Sequence, residues 1–390
     1  MAKAPTAPKS LPGTPADHDY SFPPEFAPHS GTWFSWPRPE GISFPGKHHT
    51  VPANLAAIIR EIAPRETVHI NVPNDNWQRI VTLQLLEGGV KKKHLGIGGT
   101  SKGDELLEND PKAAVRFHYI PTNESWCRDH GPAFVQRRTR GGKLETAIVD
   151  WGFNAWGGKY PPYDADDNVP TRAAAVLGKQ VTGVFYPRVK DRPVIMEGGA
   201  VEFNGRGTIL TTEACLLNKN RNPHLTRVEI ERTLCEYYGQ RHIVWLHDGI
   251  VGDDTDGHID DLARFVSPNT IVTTVEDDPK DANYHILKDN LKRLEKARDQ
   301  DGKPFHIVTL PMPGVVEFDG QRLPATYANF YFVNGALLVP TYRHKKNDKK
   351  ALKILQNLLP DREVIGIDCT ELIWGLGAIH CLSQQVPKLG

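Results

Sequence analysis

The alternation of apolar and polar positions along the chain predicts an α/β protein. Short β-rich runs, several ending in Pro or Asp before a polar loop, predict strands at residues 67–72, 115–120, 243–246, 305–310 and 363–367. Amphipathic stretches between them predict helices at residues 51–62, 77–86, 227–238, 282–297 and 349–358. The helix at 227–238 has the clearest ends, because Thr226 and Glu229 form a capping box and Gly239 suits the left-handed position after the last turn.

Similar strand openings recur roughly every 50–65 residues, about the length of one ββαβ unit. Ordinary α/β proteins alternate in the same way, so the spacing alone leaves internal repetition open. Residues 1–19 are rich in Pro and Ala and predict a disordered tail. Because no Gly/Ser-rich linker interrupts residues 20–390, we expect them to form a single domain.

Composition argues against several classes of protein. Lys+Arg and Asp+Glu both number 47, so the chain lacks the basic excess that a nucleic-acid partner favours. No apolar run of about 18 residues is present and no apolar signal segment stands at the start, so we expect a cytoplasmic protein with no membrane partner. The five cysteines form no CxxC pair, which is typical of a reducing compartment and argues against a zinc ribbon.

Four short segments are richer in Gly, Trp, Asp, His and Cys than packing requires. They are SWCRDHGP (125–132), MEGG (196–199), GDDTDGHIDD (252–261) and GLGAIHC (375–381). In the last segment, Gly375 and Gly377 allow the backbone and the thiol of Cys381 to approach a ligand closely. The alternative is an inert buried cysteine.

A base for Cys381 is expected elsewhere in the chain. His380 is adjacent, but neighbours in a strand point to opposite faces. His258 is the candidate, because in an extended segment it shares one face with Asp260 and places an imidazole beside a carboxylate. The same segment fits a solvated acidic turn. A metal site is less favoured, because no HExxH, CxxC or EF-hand spacing accompanies it, and we expect soft ions such as Zn²⁺ to inhibit by capturing the Cys381 thiolate.

Carboxylates in glycine-rich loops complete the inventory. Asp129 follows Trp126 and precedes a Gly-Pro turn, and Glu197 precedes two glycines, although each alone also fits an ordinary turn or a surface ion pair. One thiol, one imidazole and at least three carboxylates suit a planar guanidinium, which carboxylates bind in a bidentate manner. Its carbon is a poor electrophile, and a thiolate is a strong enough nucleophile to attack it. The residues therefore indicate a metal-free hydrolase of a guanidinium group.

With these motifs the sequence resembles the agmatine deiminase family, grouped with the bacterial peptidylarginine deiminases in the guanidine-modifying superfamily. The resemblance covers most of residues 25–387. It is strongest in WCRDHGP, WGFNAWGG (151–158), EGG, LTTEACLLNKNRNP (210–223), DDTDGHIDDLARF (253–265) and IHCLSQQ (379–385). It implies a five-bladed α/β propeller of ββαβ units with the active site on its axis.

The resemblance also implies a role for each matching residue. Cys381 is expected to be the nucleophile and His258 the general acid and base, with Glu197 orienting His258. Asp129 and Asp260 are expected to grip the guanidinium. The implied reaction needs no cofactor and no metal, and the family suggests a homodimer.

The tail of the substrate is the part that the sequence leaves open. Trp126 and Asp254 match positions that shape the pocket for that tail, while residues 375–378, 255–258 and 26–29 depart from the common agmatine deiminase pattern. The acid-rich loop 252–261 favours the amine of agmatine, with N-carbamoylputrescine and ammonia as products. Peptidyl-arginine and free arginine are the alternatives, followed by a non-catalytic scaffold and a metal-dependent ureohydrolase.

Overall fold

The computed structural model describes residues 7–97, 104–107, 110 and 112–390. Four sheets in this part of the chain share one topology, in which an antiparallel pair of strands is followed by a third, parallel strand. Their strands are Ala133–Arg138, Leu144–Val149 and Val184–Phe185; Val201–Phe203, Thr208–Thr212 and His242–Leu246; Ala263–Ser267, Thr270–Val275 and His306–Pro311; and Tyr331–Val333, Ala336–Thr341 and Glu363–Asp368.

A fifth sheet joins the two ends of the chain. The C-terminal strand Ser383–Pro387 pairs antiparallel with His29–Ser35, which continues in parallel to Thr67–Val72 and Val115–Tyr119. This sheet therefore repeats the topology of the other four, with its first strand supplied by the C-terminus. Two hairpins, Arg188–Val189 with Arg192–Pro193 and Glu317–Phe318 with Gln321–Arg322, have strands of only two residues.

Helices connect the parallel strands of every sheet. The long ones are Val51–Ile62, Asp75–Glu87, Val169–Leu177, Arg227–Tyr238, Tyr284–Lys296 and Lys345–Leu358. Five further helices have four residues each: Cys127–His130, Ala155–Gly158, Asp164–Asp167, Glu213–Leu216 and Ile379–Leu382. The fold is thus mixed α/β, with a ββαβ unit that recurs through the chain. Among the described residues, no helix is long and apolar enough to cross a membrane.

The predicted helices and strands agree with the structure, with differences at their ends. The capping box of Thr226 and Glu229 is confirmed, and Gly239 adopts the left-handed conformation with φ 61°. Two helices begin earlier than predicted, at Asp75 and Lys345, because their first turns are polar and carry no apolar periodicity. The first of these is fixed by its N-cap, where the Asn74 side chain accepts a hydrogen bond from the backbone N–H of Trp77.

Part of the segment that the sequence predicts as a tail contacts the folded part of the chain. Leu11 donates its backbone N–H to Val184 O at 2.8 Å and packs on the apolar cluster that contains Tyr20. A short 3₁₀ turn follows at Ala16–His18. The free edge of the strand Val184–Phe185 accounts for this order, because its unpaired backbone groups accept another segment. Residues 1–6 lie outside the described residues.

Equivalent turns precede the first strand of each sheet. In chain order these turns hold Asp129, Glu197, His258 with Asp260, Asn329, and Cys381. The short helix Cys127–His130 contacts both the helix Ile379–Leu382 and the turn Gly198–Ala200, which in turn contacts Ile259–Asp261. The repeat of the ββαβ unit therefore brings distant segments of the chain to one place.

Candidate active site

The thiol of Cys381 lies in the helix Ile379–Leu382, and the residue is 7% exposed. Its Sγ accepts a hydrogen bond from Asn329 Nδ2 at 3.1 Å and stands 3.7 Å from Asp260 Oδ2. Burial raises the pKa of this thiol well above its ordinary value, and the carboxylates of Asp260, Asp261 and Asp129 raise it further. The thiolate is therefore unfavourable until a cation enters the pocket.

Gly377 allows an aromatic ring to lie against this helix. A Cβ at Gly377 would stand 2.5 Å from Trp126 Cζ3 and 3.0 Å from Cys381 Cβ, so a side chain would push the ring away from the thiol. The Trp126 ring is fixed from its other edge, because its Nε1 donates to Ser43 Oγ at 2.7 Å.

The imidazole of His258 stands between two carboxylates. Its Nδ1 is 3.7 Å from Asp129 Oδ1, and its Nε2 is 3.7 Å from Glu197 Oε2. Burial works against its charge, but the carboxylate of Asp129 and the neighbouring Cys215 and Glu197 side chains hold the pKa of His258 well above its ordinary value. The expected extended segment is wrong here: residues Ile259–Asp261 form a 3₁₀ turn with His258 at its N-cap. Both side chains nevertheless reach the site.

Glu197 is held in place by a buried guanidinium. Arg221 Nε donates to Glu197 Oε1 at 2.9 Å, and Arg221 NH2 donates to the carbonyl of Thr255 at 2.8 Å. Burial opposes ionisation of Glu197, but the Arg221 charge lowers the pKa of this carboxyl below its ordinary value. The other carboxylate oxygen remains directed at His258. Arg221 was not predicted as a site residue, although it lies in the motif LTTEACLLNKNRNP.

Asp129 is oriented by two donors from different units. Its Oδ1 accepts the backbone N–H of Gly199, and its Oδ2 accepts Trp156 Nε1, both at 2.9 Å. Burial raises the pKa of Asp129 to about 6. Gly199 must lack a side chain, since a Cβ there would stand 2.6 Å from His258 Nδ1 and 2.8 Å from Asp129 Oδ1.

Asp260 is held from one side by a buried imidazole. Its Oδ2 pairs with His380 Nδ1 at 2.6 Å, and His380 Nε2 pairs with Glu25 Oε2 at 2.7 Å. Arg128 and Arg264 complete this network through contacts to Glu25 at 3.1 and 2.9 Å. In the part of the chain that is described, Asp260 Oδ1 has no hydrogen-bond partner. This oxygen is therefore available to a ligand.

His380 takes a position that the sequence did not suggest. It stands in a short helix rather than a strand, so the strand argument used to set it aside does not apply. Its two nitrogens are occupied by carboxylates of Asp260 and Glu25, and it therefore orders the site without facing the pocket. Glu25 and Asn329 were missed altogether, because isolated polar residues between apolar neighbours carry no local signal.

The thiol opens into a cavity of about 300 Å³. Both residues that were assigned to the substrate tail, Trp126 and Asp254, line it together with Asp129, Trp156, Thr255 and Gly375–Leu376–Gly377. Asp254 Oδ2 accepts the hydroxyl of Tyr160. Aromatic rings and carboxylates thus line the cavity together with the thiol.

A larger outer chamber of about 990 Å³ continues from the cavity and shares Asp254, Gly375 and Leu376 with it. Lys47 stands in this chamber, with its Nζ 4.2 Å from the ring centroid of Trp374 and 5.0 Å from that of Phe318. The four segments singled out from the sequence contain no cation at this place. Lys47 was therefore missed, since it lies in a loop more than 70 residues from the first of those segments.

Two groups of three side chains place metal-ligating atoms within 4.8 Å of one another. One consists of Glu197, Cys215 and His258, and the other of Asp260, Asp261 and Cys381. All six residues are buried. Cys215 was not among the candidate site residues, although it stands in the motif LTTEACLLNKNRNP.

Known proteins are similar to this chain over nearly its whole length. The Porphyromonas-type peptidyl-arginine deiminase family matches residues 21–387. The chain is 34% identical to the agmatine deiminase of Pseudomonas syringae pv. tomato, with 97% of this chain and 98% of that protein covered. It is 33% identical to the agmatine deiminase of Pseudomonas aeruginosa, with 96% and 97% covered.

Solved structures agree with the sequence matches. The agmatine deiminase of Enterococcus faecalis has a TM-score of 0.81 at 30% identity and covers 97% of this chain and 99% of its own. The C. jejuni agmatine deiminase with substrate bound has a TM-score of 0.78 at 29% identity, with 95% and 97% covered. These matches define the class of protein as a guanidine-modifying hydrolase. The chain belongs to the Porphyromonas-type peptidyl-arginine deiminase family.

Proposed function

We propose that the chain hydrolyses the guanidinium group of agmatine to N-carbamoylputrescine and ammonia. The observation that carries this proposal is the carboxylate of Asp260, whose Oδ2 stands 3.7 Å from Cys381 Sγ and whose Oδ1 has no hydrogen-bond partner within the described residues. Cys381 and Asp129 both line the inner cavity. A planar cation with several N–H donors matches these acceptors. The names of the relatives support agmatine as the substrate.

Binding comes first. Asp129 and Asp260 take the guanidinium N–H groups and align its carbon with the sulfur of Cys381. The bound cation also offsets the carboxylates that raise the pKa of the thiol, so Cys381 releases its proton to solvent and the thiolate forms next to the guanidinium carbon. Binding of the substrate therefore favours the reactive thiolate form of Cys381.

In the first half of the reaction, the sulfur of Cys381 forms a bond to the guanidinium carbon. Protonated His258 gives its proton to the departing nitrogen, the C–N bond breaks, and ammonia leaves. A thiouronium remains on Cys381. The raised pKa of His258 suits this step, because it keeps the imidazole protonated near neutral pH.

In the second half, neutral His258 takes a proton from water, and the resulting hydroxide bonds to the thiouronium carbon. The C–S bond then breaks and releases the ureido product and Cys381. Glu197, fixed by Arg221, orients the imidazole through both halves. Water supplies the oxygen of the product, so no further reactant is consumed.

The resemblance to the agmatine deiminase family also supports a more detailed proposal for the fold, location and assembly of the protein. The five sheets that share one topology support a five-bladed propeller with the site on its axis. We further propose a single domain over residues 20–390, a cytoplasmic location, catalysis without metal or cofactor, and a homodimer.

A second candidate is the deimination of peptidyl-arginine. The outer chamber favours it, because it continues from the inner cavity past Asp254, Gly375 and Leu376 and offers space for the peptide chain on either side of an arginine. Lys47 in the chamber could also receive the carboxylate of free arginine.

The test compares kcat/KM for agmatine, free arginine and a blocked arginine amide in one buffer, with ammonia and ureido product measured. We expect agmatine to be preferred over arginine by at least about 100-fold, or roughly 2.7 kcal/mol. The physical reason is that the α-carboxylate would meet Asp129 and Asp254 in a poorly hydrated pocket. A clear preference for the blocked amide would instead support the peptidyl-arginine candidate, and turnover of none of the three would contradict both.

A further inference from the structure

A second buried thiol stands beside the imidazole of His258 and has no part in the proposed reaction. Cys215 lies in the helix Glu213–Leu216, and its Sγ is 3.8 Å from Glu197 Oε2. His258 Nε2 is 3.7 Å from the same oxygen. Within the described residues, this nitrogen has no hydrogen-bond partner. Thiol, imidazole and carboxylate therefore surround one point in the interior.

These three groups are the ligand types that zinc prefers. Bonds to zinc are about 2.3 Å from sulfur and about 2.0–2.2 Å from nitrogen or oxygen, so neighbouring ligand atoms around a tetrahedral ion stand roughly 3.3–3.6 Å apart. The separations of 3.7 and 3.8 Å to Glu197 Oε2 are within a few tenths of an ångström of these values. Ligand atoms of all three residues lie within 4.8 Å of one another.

The carboxylate is already oriented as a zinc ligand requires. Arg221 Nε holds Glu197 Oε1 at 2.9 Å, which leaves Oε2 directed at the thiol and the imidazole. An outer partner that fixes a ligand in this way strengthens metal binding. Small rotations of the His258 and Cys215 side chains would complete the site without movement of the backbone.

We propose that Glu197, Cys215 and His258 form an inhibitory site for a thiophilic divalent cation such as Zn²⁺. The ion takes His258 Nε2 together with the Glu197 oxygen that orients the imidazole, so His258 is no longer held for proton transfer and turnover stops while Cys381 is untouched. Only the inhibition rests on the proposed function; the binding rests on the geometry of the three ligands. Water completes the fourth position.

The other group of metal-ligating residues fits zinc less well. Asp260, Asp261 and Cys381 include no imidazole. Asp260 Oδ2 is occupied by His380 at 2.6 Å, and Asn329 Nδ2 binds both Asp261 Oδ1 at 3.0 Å and the Cys381 sulfur at 3.1 Å. An ion there would have to replace these hydrogen bonds, whereas His258 Nε2 has none to lose.

The test uses the full chain with Cys381→Ala, which removes the competing thiol. After treatment with a chelator, this variant is titrated with Zn²⁺ by calorimetry and with Co²⁺ by absorption spectroscopy. We expect one Zn²⁺ per chain and a thiolate-to-cobalt charge-transfer band. Adding Cys215→Ala should weaken zinc binding by at least about 100-fold and abolish the band, since it removes a direct ligand.

Cys369→Ala in the same background is the matched control, because Cys369 is also a buried thiol but belongs to neither group. It should leave the zinc affinity within a few-fold. Cys215→Ser provides a second variant of nearly the same shape, and thermal unfolding shows whether each variant is folded.

Zinc binding that survives both Cys215→Ala and Cys215→Ser would overturn the proposal, as would the absence of binding in the Cys381→Ala chain. The proposed function is tested separately, by turnover of agmatine in the metal-free wild type. A chain that binds zinc through Cys215 but does not turn over agmatine would contradict the proposed function and leave the metal site standing.

Discussion

In the unliganded pocket, the charges of neighbouring residues oppose formation of the Cys381 thiolate. Burial and nearby carboxylates raise the pKa of Cys381, while the Asp129 carboxylate holds the pKa of His258 high in spite of burial. The unliganded site therefore favours a neutral thiol beside a charged imidazole. A guanidinium placed between Asp129 and Asp260 changes this balance, because its charge neutralises the groups that oppose the thiolate.

Cys381→Ala is expected to lower turnover by at least roughly 10⁴-fold, because no other group replaces the nucleophile. The fold should be retained, since the change removes only one sulfur atom. Thermal unfolding and ammonia release measure the two effects, with Cys369→Ala as a control that removes a buried thiol outside the pocket.

Mass spectrometry of a His258→Ala chain incubated with agmatine should find the adduct on Cys381. An adduct on Cys127 or Cys215 would show that the nucleophile is misassigned.

Asp129→Asn and Asp260→Asn should each reduce kcat/KM by roughly 30- to several thousand-fold. Removing one partner of a desolvated ion pair costs about 2–5 kcal/mol. Asp150→Asn is the matched control, because Asp150 is a largely buried carboxylate that accepts the hydroxyl of Thr171 outside the pocket. Activity within a few-fold of wild type in either pocket variant would mean that its carboxylate does not hold the substrate.

At the scale of elements, the strands Thr67–Val72 and Val115–Tyr119 carry a pair of imidazoles, one buried and one half-buried. His69 Nδ1 and His118 Nε2 are 2.9 Å apart, and the Trp33 ring stacks on both with centroid separations of 4.6 and 4.9 Å. One nitrogen must donate and the other accept, so at least the accepting ring is neutral. Burial lowers the pKa of His118 to about 4 and that of His69 well below its ordinary value.

This pair should make the protein less stable as the pH falls from 7 to 5. Each pKa is lower in the folded chain than in the unfolded chain, so in this window the unfolded chain takes up protons that the folded chain refuses. For a pKa of about 4 against an ordinary value of about 6.5, the loss is about 2 kcal/mol. Chemical denaturation at pH 7 and 5 should show a smaller loss in His118→Gln than in the wild type. Equal losses in the two proteins would contradict the role of the pair.

At the scale of the whole molecule, a strand near the C-terminus pairs with a strand near the N-terminus. The strand Ser383–Pro387 begins two residues after Cys381 and pairs antiparallel with the strand His29–Ser35. Val386 is fully buried in the cluster that also contains Trp33. The pairing of these two strands therefore also positions Cys381.

Val386→Asp should lower stability and activity together, because an unpaired carboxylate in this cluster costs several kcal/mol. Lys388→Asp, two residues further on and exposed, should change the free energy of unfolding by less than about 0.5 kcal/mol. Urea unfolding and agmatine turnover would be measured on both. Full activity in a Val386→Asp chain of normal stability would show that the C-terminal strand does not position Cys381.

The amino-acid sequence by itself determined the helices and the strands that follow them. Apolar periodicity and caps are local, and the residues 51–62 and 227–238 matched helices of the structure to the residue. The sequence did not determine the antiparallel pairs of strands next to the candidate active site. Strands such as Thr208–Thr212 and Tyr331–Val333 are short and buried on every residue, so they show no alternation from which a strand could be predicted.

The sequence also determined which segments carry chemistry, because thiol, imidazole and carboxylates stand in motifs that a family shares. Only the tertiary structure decided how these groups are oriented: that His380 contacts Asp260 and also Glu25, 355 positions away, that Asn329 holds the thiol, and that Cys215 lies beside His258. Such contacts depend on the packing of separate ββαβ units against one another. No local pattern of residues encodes that packing, since each partner alone is an ordinary polar residue in a turn.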